Sequence, residues 1–351
     1  MGHGGYSSSS RSFRSSNKAV ANISADDLDK VKSQLVGSYT VNPDGTLMVT
    51  MNNAAEIESV KGLVADGFAT FLSSVDDRFV GYGHRRPDEV FSQRQINNAM
   101  NPHGIVIRES RDSEEHPESL AIILGLDETG SMGSVPHYLV KDGLPHIMDR
   151  IIKGGIPHPQ VLFLGIGDHE CDSAPLQVGQ FESSDELLDK WLTDIYLEGR
   201  GGGNAGESYL LAWYFAAQHT AIDCFEKRGK KGYCITIGDE PVLDRVPASF
   251  LKHMMGDGQF QDYTALELIS KASEKYHVFH INVRETQSGN RNHVMDGWRQ
   301  LLSDNFKIAN RKEDVSKIIA DIILSGEGAA TTFSPEKPAA QATPAVEDMI
   351  L

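Results

Sequence analysis

Apolar residues along this chain follow two periods, and the alternation between them outlines a fold. From Leu120 onward, four runs are almost continuously apolar: residues 120–127, 160–167, 232–238 and 277–283. Strands buried on both faces of a parallel sheet have this composition. Between the runs, apolar positions recur at helical spacing over residues 136–152, 184–198, 206–227 and 262–275, with further helices at 292–302 and 313–325. Strands and helices alternating in this way predict a three-layer α/β domain, a mostly parallel sheet with helices on both faces. The stretch from Ser208 to Ala217 is apolar almost all round, which predicts a helix deep in that domain, with Tyr209, Trp213, Tyr214 and Phe215 in the core.

Upstream the pattern is less regular. Residues 1–18 are rich in Gly and Ser, carry Arg11, Arg14 and Lys18, and read as a disordered arm. Ser24-Ala-Asp-Asp27 has the form of a helix N-cap ahead of Leu28, Val31 and Leu35. Asn42-Pro-Asp-Gly45 is a turn signal, and residues 46–51 after it read as a strand. Residues 54–75 keep a helical period through Ile57, Val60, Val64, Phe68 and Phe71. Residues 82–113, rich in Arg, Asn, Pro and His, predict an extended, packed connection. The expected organisation is an arm over 1–18 and a smaller helix-and-strand extension over 19–115. Phe68, Phe71, Leu72 and Phe79 of that extension pack it on the main domain, which spans 116–325. A disordered Ala/Pro-rich tail follows over 326–351.

Composition narrows the function classes. Across 351 residues, 40% apolar content suffices for a large buried core. A net charge of −16 excludes a binder that tracks nucleic-acid phosphates, which needs a basic stripe, and it suits capture of a cation. No apolar run approaches the roughly 18 residues of a membrane helix. The first ten residues lack the apolar segment of a secretory signal, and Tyr6 stands where a myristoylation motif needs Ser or Thr. Cys171, Cys224 and Cys234 are too far apart for a metal knuckle and odd in number for a disulfide framework. Cytoplasm is the expected compartment, with neither nucleic acid nor membrane as partner.

The candidate chemistry lies where strands end. Asp127-Glu128-Thr129-Gly130-Ser131 closes the first apolar run with a carboxylate and two hydroxyls at alternate positions. Mg²⁺ takes hard oxygen ligands at about 2.0–2.1 Å and keeps several waters, so few protein oxygens are needed. Asp239 closes the third apolar run, and in an open parallel sheet both carboxylates reach the same edge. Gly199-Arg-Gly-Gly-Gly-Asn-Ala-Gly-Glu-Ser208 is a glycine turn ahead of the buried helix. It has the glycine spacing of a phosphate-binding loop, but Glu207 replaces the lysine and would repel phosphates. Asp168-His-Glu-Cys-Asp172 offers zinc-type side chains, yet five adjacent residues cannot all face one ion, and the segment reads as a polar loop beside the crevice. No nucleophile-elbow motif is present.

The order of these three loops resembles the metal-ion-dependent adhesion site of von Willebrand factor A domains, over residues 116–325. The Gly-Gly-Gly-Asn…Gly-Glu loop, with Gly-Asp-His169, is most similar to the bacterial and kinase-linked branch. The resemblance implies a Rossmann-like fold and a Mg²⁺ (or Mn²⁺ or Ca²⁺) held by Asp127, Thr129 and Ser131, with Asp239 and Asn204 acting directly or through water. Adhesive members use a Thr in the second loop. None lies between Gly199 and Ser208, so Asn204 offers a carbonyl oxygen instead, with Ser208 as another candidate. Asp168, His169, Ser208 and Glu240 fall at the rim. The implied function is recognition, with the cation accepting an Asp or Glu carboxylate from a partner protein such as an AAA+ ATPase or a component of an assembly or stress complex. The alternatives are a metal-dependent hydrolase, for which no general base with an orienting partner is evident, and a structural scaffold with a vestigial site.

Overall fold

The computed structural model describes residues 90–198, 204 and 206–328, together with the backbone of four short upstream strands. Those strands are β1 (Asn17–Asn22), β2 (Ser38–Val41), β3 (Thr46–Met51) and β4 (Thr70–Phe71), in the order β2-β3-β1-β4. β3 is the strand expected after the Asn42–Gly45 turn. β1 includes the last two residues of the expected arm. β4 lies in the stretch whose period predicted a helix to residue 75, and there Thr70 and Phe71 pair with Asn22 and Ala21 of β1. β-branched and aromatic residues favour such pairing, and a cross-strand partner outweighs a weak helical period. The expected N-cap at Ser24 and the apolar residues Phe68, Leu72 and Phe79 lie outside the described residues.

Downstream, β5 (Arg108–Ser110) precedes the main sheet. β6 (Leu120–Asp127), β7 (Pro159–Ile166) and β8 (Leu176–Val178) follow, then the short β9 (Thr220–Ile222) and β10 (Gly232–Gly238). The strands end with β11 (Arg245–Val246), β12 (Tyr263–Thr264), β13 (Tyr276–Val283) and β14 (Phe306–Ala309). Six of them form one sheet in the order β14-β13-β10-β6-β7-β8, parallel except for β8, which runs antiparallel to β7. The expected α/β architecture with a mostly parallel sheet is therefore present. Alternate residues of each strand divide between two cores. Ile122, Leu124, Leu126, Val161, Phe163, Ile235 and Ile237 face one, while Ala121, Ile123, Leu162, Leu164 and Cys234 face the other. That division is the period of two expected of strands covered on both sides.

Helices cover both faces. On the first lie α1 (Val135–Tyr138) and α2 (Leu144–Lys153), joined by a π-helical turn at Leu139–Gly143, then α3 (Asp185–Thr193). On the second lie α4 (Tyr209–Gln218), α6 (Ala248–Met255), α7 (Ala265–Lys275) and α8 (Asn292–Leu302); the one-turn α5 (Asp223–Glu226) precedes β10, and α9 (Lys312–Gly326) returns to the first face. A capping box starts α7, with the Thr264 hydroxyl and the Glu267 carboxylate each satisfying the other's backbone N–H. All of Tyr209 to Ala216 in α4 is buried, as its all-round apolar sequence predicts. The helix expected over 206–227 is instead interrupted. After His219, residues Thr220–Ile222 leave the helix to pair in parallel with β5, and Arg108 N donates to His219 O at 2.8 Å. β-branched Thr220 and Ile222 suit that change.

β6 leads on to β7 on one side while its other neighbour, β10, leads on to β13, so the connections leaving the carboxyl ends of β6 and β10 diverge in opposite directions. A crevice at such a switch point is where open α/β sheets bind ligands. Ile235 sits centrally in β10 and is fully buried. Ile235→Ala should therefore lower unfolding free energy by about 2–5 kcal/mol, read from the urea midpoint at unchanged slope.

Candidate metal centre

Two acids meet at this switch point. Asp127 is the last residue of β6, Asp239 follows the last residue of β10, and both side chains are inaccessible to solvent. A chain of oxygens links them. Thr129 Oγ1 donates to Asp127 Oδ1 at 2.6 Å, Thr129 Oγ1 and Ser131 Oγ lie 3.1 Å apart, and Ser131 Oγ donates to Asp239 Oδ1 at 2.6 Å. The local sequence explains the shape. Thr129 N also donates to Asp127 Oδ1 at 3.0 Å, an Asx turn that folds the chain back after β6, and a 3₁₀ turn over Gly130–Met132 brings Ser131 to the same side.

Proton bookkeeping gives this relay its character. A hydroxyl has one proton. Thr129 and Ser131 each give theirs to a carboxylate, so none remains for the 3.1 Å contact between them. Lone pairs from all four side chains converge there. Among the described residues no Lys, Arg or His bonds Asp127 or Asp239. Burial first, then the charge of Asp239, push the Asp127 carboxyl up from its ordinary value.

The donor set fits a small hard cation. Octahedral ligands at 2.0–2.1 Å stand about 2.9 Å apart along each edge, and the three successive oxygen separations bracket that value. Among the described residues no three His, Cys, Asp or Glu side chains converge as metal donors, so a cation here would rest on hydroxyls as much as on acids.

Residues around the relay hold it in place. Tyr209, at the first turn of α4, donates its hydroxyl to Asp127 Oδ2 at 2.6 Å and accepts from Glu240 N at 3.4 Å. Burial and the charge of Asp127 push the Tyr209 phenol well up, so it keeps the proton it donates. Gly238 makes the reach possible, because a Cβ there would lie 1.9 Å from the Tyr209 hydroxyl. Tyr209 meets the edges of His280 and Trp298, and Trp298 Nε1 donates to Glu240 O at 2.9 Å. Ser288 N donates to Asp239 Oδ2 at 3.1 Å, and its hydroxyl donates to Glu240 Oε1 at 2.5 Å.

The expected rim residues are placed variously. Glu240 lines the relay through Ser288 and Tyr209. Ser208 is fully buried and turned away, its oxygen 2.8 Å from His169 N and 2.7 Å from His169 Nδ1. His169 packs on Phe250, and burial pushes its imidazole down. Asp168 accepts from Glu170 N at 2.8 Å. Asn204 is exposed and donates its amide to Glu170 Oε2 at 2.7 Å; no bond joins it to the relay.

Sequence reasoning did not single out four contributors. Tyr209 read as core, which it is, but its hydroxyl carries the polar contact. Ser288 belongs to a fourth loop with no motif. Glu128 and Glu207 are buried acids, each with one carboxylate oxygen that lacks a hydrogen-bond partner among the described residues. Burial, then the charges of Glu198, Asp127 and Asp172, push Glu128 well up; Gln177 donates to its other oxygen. Gly165 and Gly167 make room for it, since Cβ atoms there would lie 2.5 Å from Glu128 Oε2 and 3.3 Å from Glu128 Oε1. The signal available for Glu128 and Glu207 was their position in the loops themselves.

No family model matches the chain, and no curated protein matches it. Solved structures do. The pilus adhesin SpaC from Lactobacillus rhamnosus GG is 11% identical with a TM-score of 0.40, covering 62% of this chain and 31% of the adhesin. The vWF domain of the type V pili tip protein Mfa5 from Porphyromonas gingivalis is 8% identical with a TM-score of 0.40, covering 66% of this chain and 99% of that domain. BatB from Bacteroides thetaiotaomicron is 12% identical with a TM-score of 0.37, covering 60% and 99%. The chain thus spans less than a third of the adhesin's length. Among the described residues no helix is long and apolar enough to cross a membrane.

Buried acids without counter-charges set the pH response of the metal-free protein. Asp127 is raised in the folded state from 3.8 to about 7, so the folded state binds more protons than the unfolded one across that window. Stability then falls as pH rises through it. In EDTA, the melting temperature should decrease from pH 5 to pH 7, and Asp127→Asn should flatten that slope in a calorimetric pH series.

Proposed function

We propose that this protein recognises a partner through a divalent cation held at the carboxyl edge of its sheet. The observation that carries the reading is the proton-poor relay, in which Asp127, Thr129, Ser131 and Asp239 converge four oxygens and their lone pairs between two buried acids. Asp127 and Asp239 would supply charge, and Thr129 and Ser131 small neutral oxygens. Oxygen separations of 2.6–3.1 Å favour Mg²⁺ or Mn²⁺ over Ca²⁺, whose ligands at about 2.3–2.6 Å need wider spacing. A cation bound there supplies an electrophilic position for the carboxylate of a partner's Asp or Glu.

The chain's own residues prepare that position. Tyr209 and Ser288 hold the outer oxygens of Asp127 and Asp239, which leaves Oδ1 of each turned to the relay. Trp298, His280 and Tyr209 close the apolar side against water. Partners of the AAA+ ATPase or assembly class remain part of the proposal, resting on the resemblance of the three loops to adhesion-type A domains. Hydrolysis is the weaker reading, because the hydrogen-bonded acids around the relay are held by hydroxyls and backbone amides rather than by an orienting histidine.

Titration calorimetry of the purified chain should show Mg²⁺ or Mn²⁺ binding that is lost in Asp127→Ala, while circular dichroism stays unchanged. Affinity should weaken as pH falls, because a carboxyl with a raised pKa must shed its proton to act as a ligand. Partners captured on the immobilised parent should be released by EDTA and absent from immobilised Asp127→Ala. Metal binding that survives in Asp127→Ala would sink the site assignment, and partners retained in EDTA would sink the metal-dependent reading.

A further inference from the structure

Away from the relay, the segment leading into β5 carries an apolar patch. Val106 is 81% exposed and Ile107 44%, and Leu266 is the one other large apolar side chain exposed among the described residues. Single exposed apolar residues are ordinary, but this pair is consecutive and its backbone is fixed. Ile105 N donates to Pro102 O at 3.0 Å and Arg108 N to His219 O at 2.8 Å. His219 Nδ1 lies 3.0 Å from Val106 O, a pure acceptor, so that nitrogen carries the proton. Burial keeps the ring neutral, which leaves Nε2 to accept from the Tyr214 hydroxyl at 3.1 Å. Val106 and Ile107 are therefore held outward by the end of α4.

Arg108 adds a charge to this patch. It is half-buried, its Nε is buried without a hydrogen-bond partner among the described residues, and burial alone shifts its guanidinium, downward. A partly desolvated cation is costly unless an acid neutralises it. The local acids are already engaged, because Arg111 binds Glu109, Asp223 and Glu226. In a chain with a net charge of −16, an arginine left without an acid stands out. The patch thus calls for a carboxylate flanked by apolar side chains.

Residues 347–351, Glu-Asp-Met-Ile-Leu, have that chemistry and differ from the Ala/Pro-rich residues before them. Their attachment point lies on the same side of the fold as the patch. Glu327, just after α9, accepts from the Tyr233 hydroxyl at 2.9 Å at the start of β10. There Gly232 pairs with Tyr276, the first residue of β13. The Tyr276 hydroxyl stands 2.7 Å from Thr220 Oγ1, and Thr220 is the register partner of Arg108. Between Gly328 and Glu347 lie 18 residues, 329–346, which reach up to about 60 Å when extended. A tether of that length also raises the effective concentration of the segment toward the millimolar range, so a weak contact suffices.

We propose that residues 347–351 dock on the Val106–Arg108 surface of their own chain, with a carboxylate of Glu347 or Asp348 on Arg108 and Met349, Ile350 and Leu351 over Val106 and Ile107. The contact is independent of the metal reading, since it uses none of the relay residues.

Nitrogen-15 relaxation of the full-length protein tests this contact. In the parent, backbone order parameters over 347–351 should approach the value of about 0.85 found for rigid backbone; in Val106→Asp they should fall below about 0.6. Val106 is exposed, so that substitution leaves the fold intact. Arg108→Glu should release the segment as well, and adding Glu347→Lys and Asp348→Lys to it should restore the order, which a merely misfolded protein would not show. Low order over 347–351 in the parent overturns the proposal. Order that survives both Val106→Asp and Arg108→Glu also overturns it, because the segment then docks elsewhere. A dimer, seen by sedimentation, that Ile350→Asp dissociates would place the segment on a second copy and overturn the intrachain contact.

Discussion

The structure is organised around the meeting of Asp127 and Asp239, two carboxylates with no access to water at the ends of adjacent parallel strands. Like charges so placed repel, and burial removes the solvent that would screen them. Three hydroxyls and two backbone amides offset part of this cost, from Thr129, Ser131, Tyr209 and Ser288. The remainder is a standing instability that a cation would relieve. A fold that keeps such a pair has accepted a local penalty at one edge, as functional sites commonly do.

The apolar layer on one side of the sheet makes that edge rigid. α4 is buried along almost its whole length, and from its first turn Tyr209 reaches through the space left by Gly238 to Asp127. His280 stacks on Trp298 at 3.6 Å between ring centres, with Thr236 Oγ1 2.9 Å from His280 Nδ1, and burial holds the imidazole well below its ordinary value and therefore neutral. A neutral ring adds no charge beside the acids. Trp298 then ties the loop after β10 through Glu240 O. Packing on the second face thus determines where oxygens stand on the upper edge.

Among the described residues acids collect around this edge, and no basic side chain bonds Asp127 or Asp239. Glu128, Asp168, Asp172, Glu207 and Glu240 all lie near the relay, and several basic side chains of the main domain pair elsewhere. Arg111 and Arg228, for instance, bind Asp223 and Asp112 in the β5–β9 region. The net charge of −16 is therefore unevenly spread, with a field at the crevice that draws cations and repels anions.

Much of the main domain was legible in the sequence because burial writes itself into composition. Four apolar runs became β6, β7, β10 and β13 within one residue, and the period of 3.6 located α7, α8 and α9. The carboxylate and hydroxyls of the first loop, and Asp239, were legible for the same reason: each is a polar residue directly after an apolar strand. Features set by long-range pairing were not. Thr220–Ile222 left a helical pattern because β5, more than 100 residues earlier, offered it a partner, and Thr70–Phe71 did so for β1. Nor could local pattern show that α4 aims a core tyrosine at Asp127, that Asn204 turns to Glu170, or that Glu207 is buried without a partner. Strand order decided the first of these, since only the placement of β10 beside β6 brings Gly238, Tyr209 and Asp127 together. Periodicity reports which side of an element is dry; which polar atoms share that dry space depends on neighbours that the chain supplies from far away.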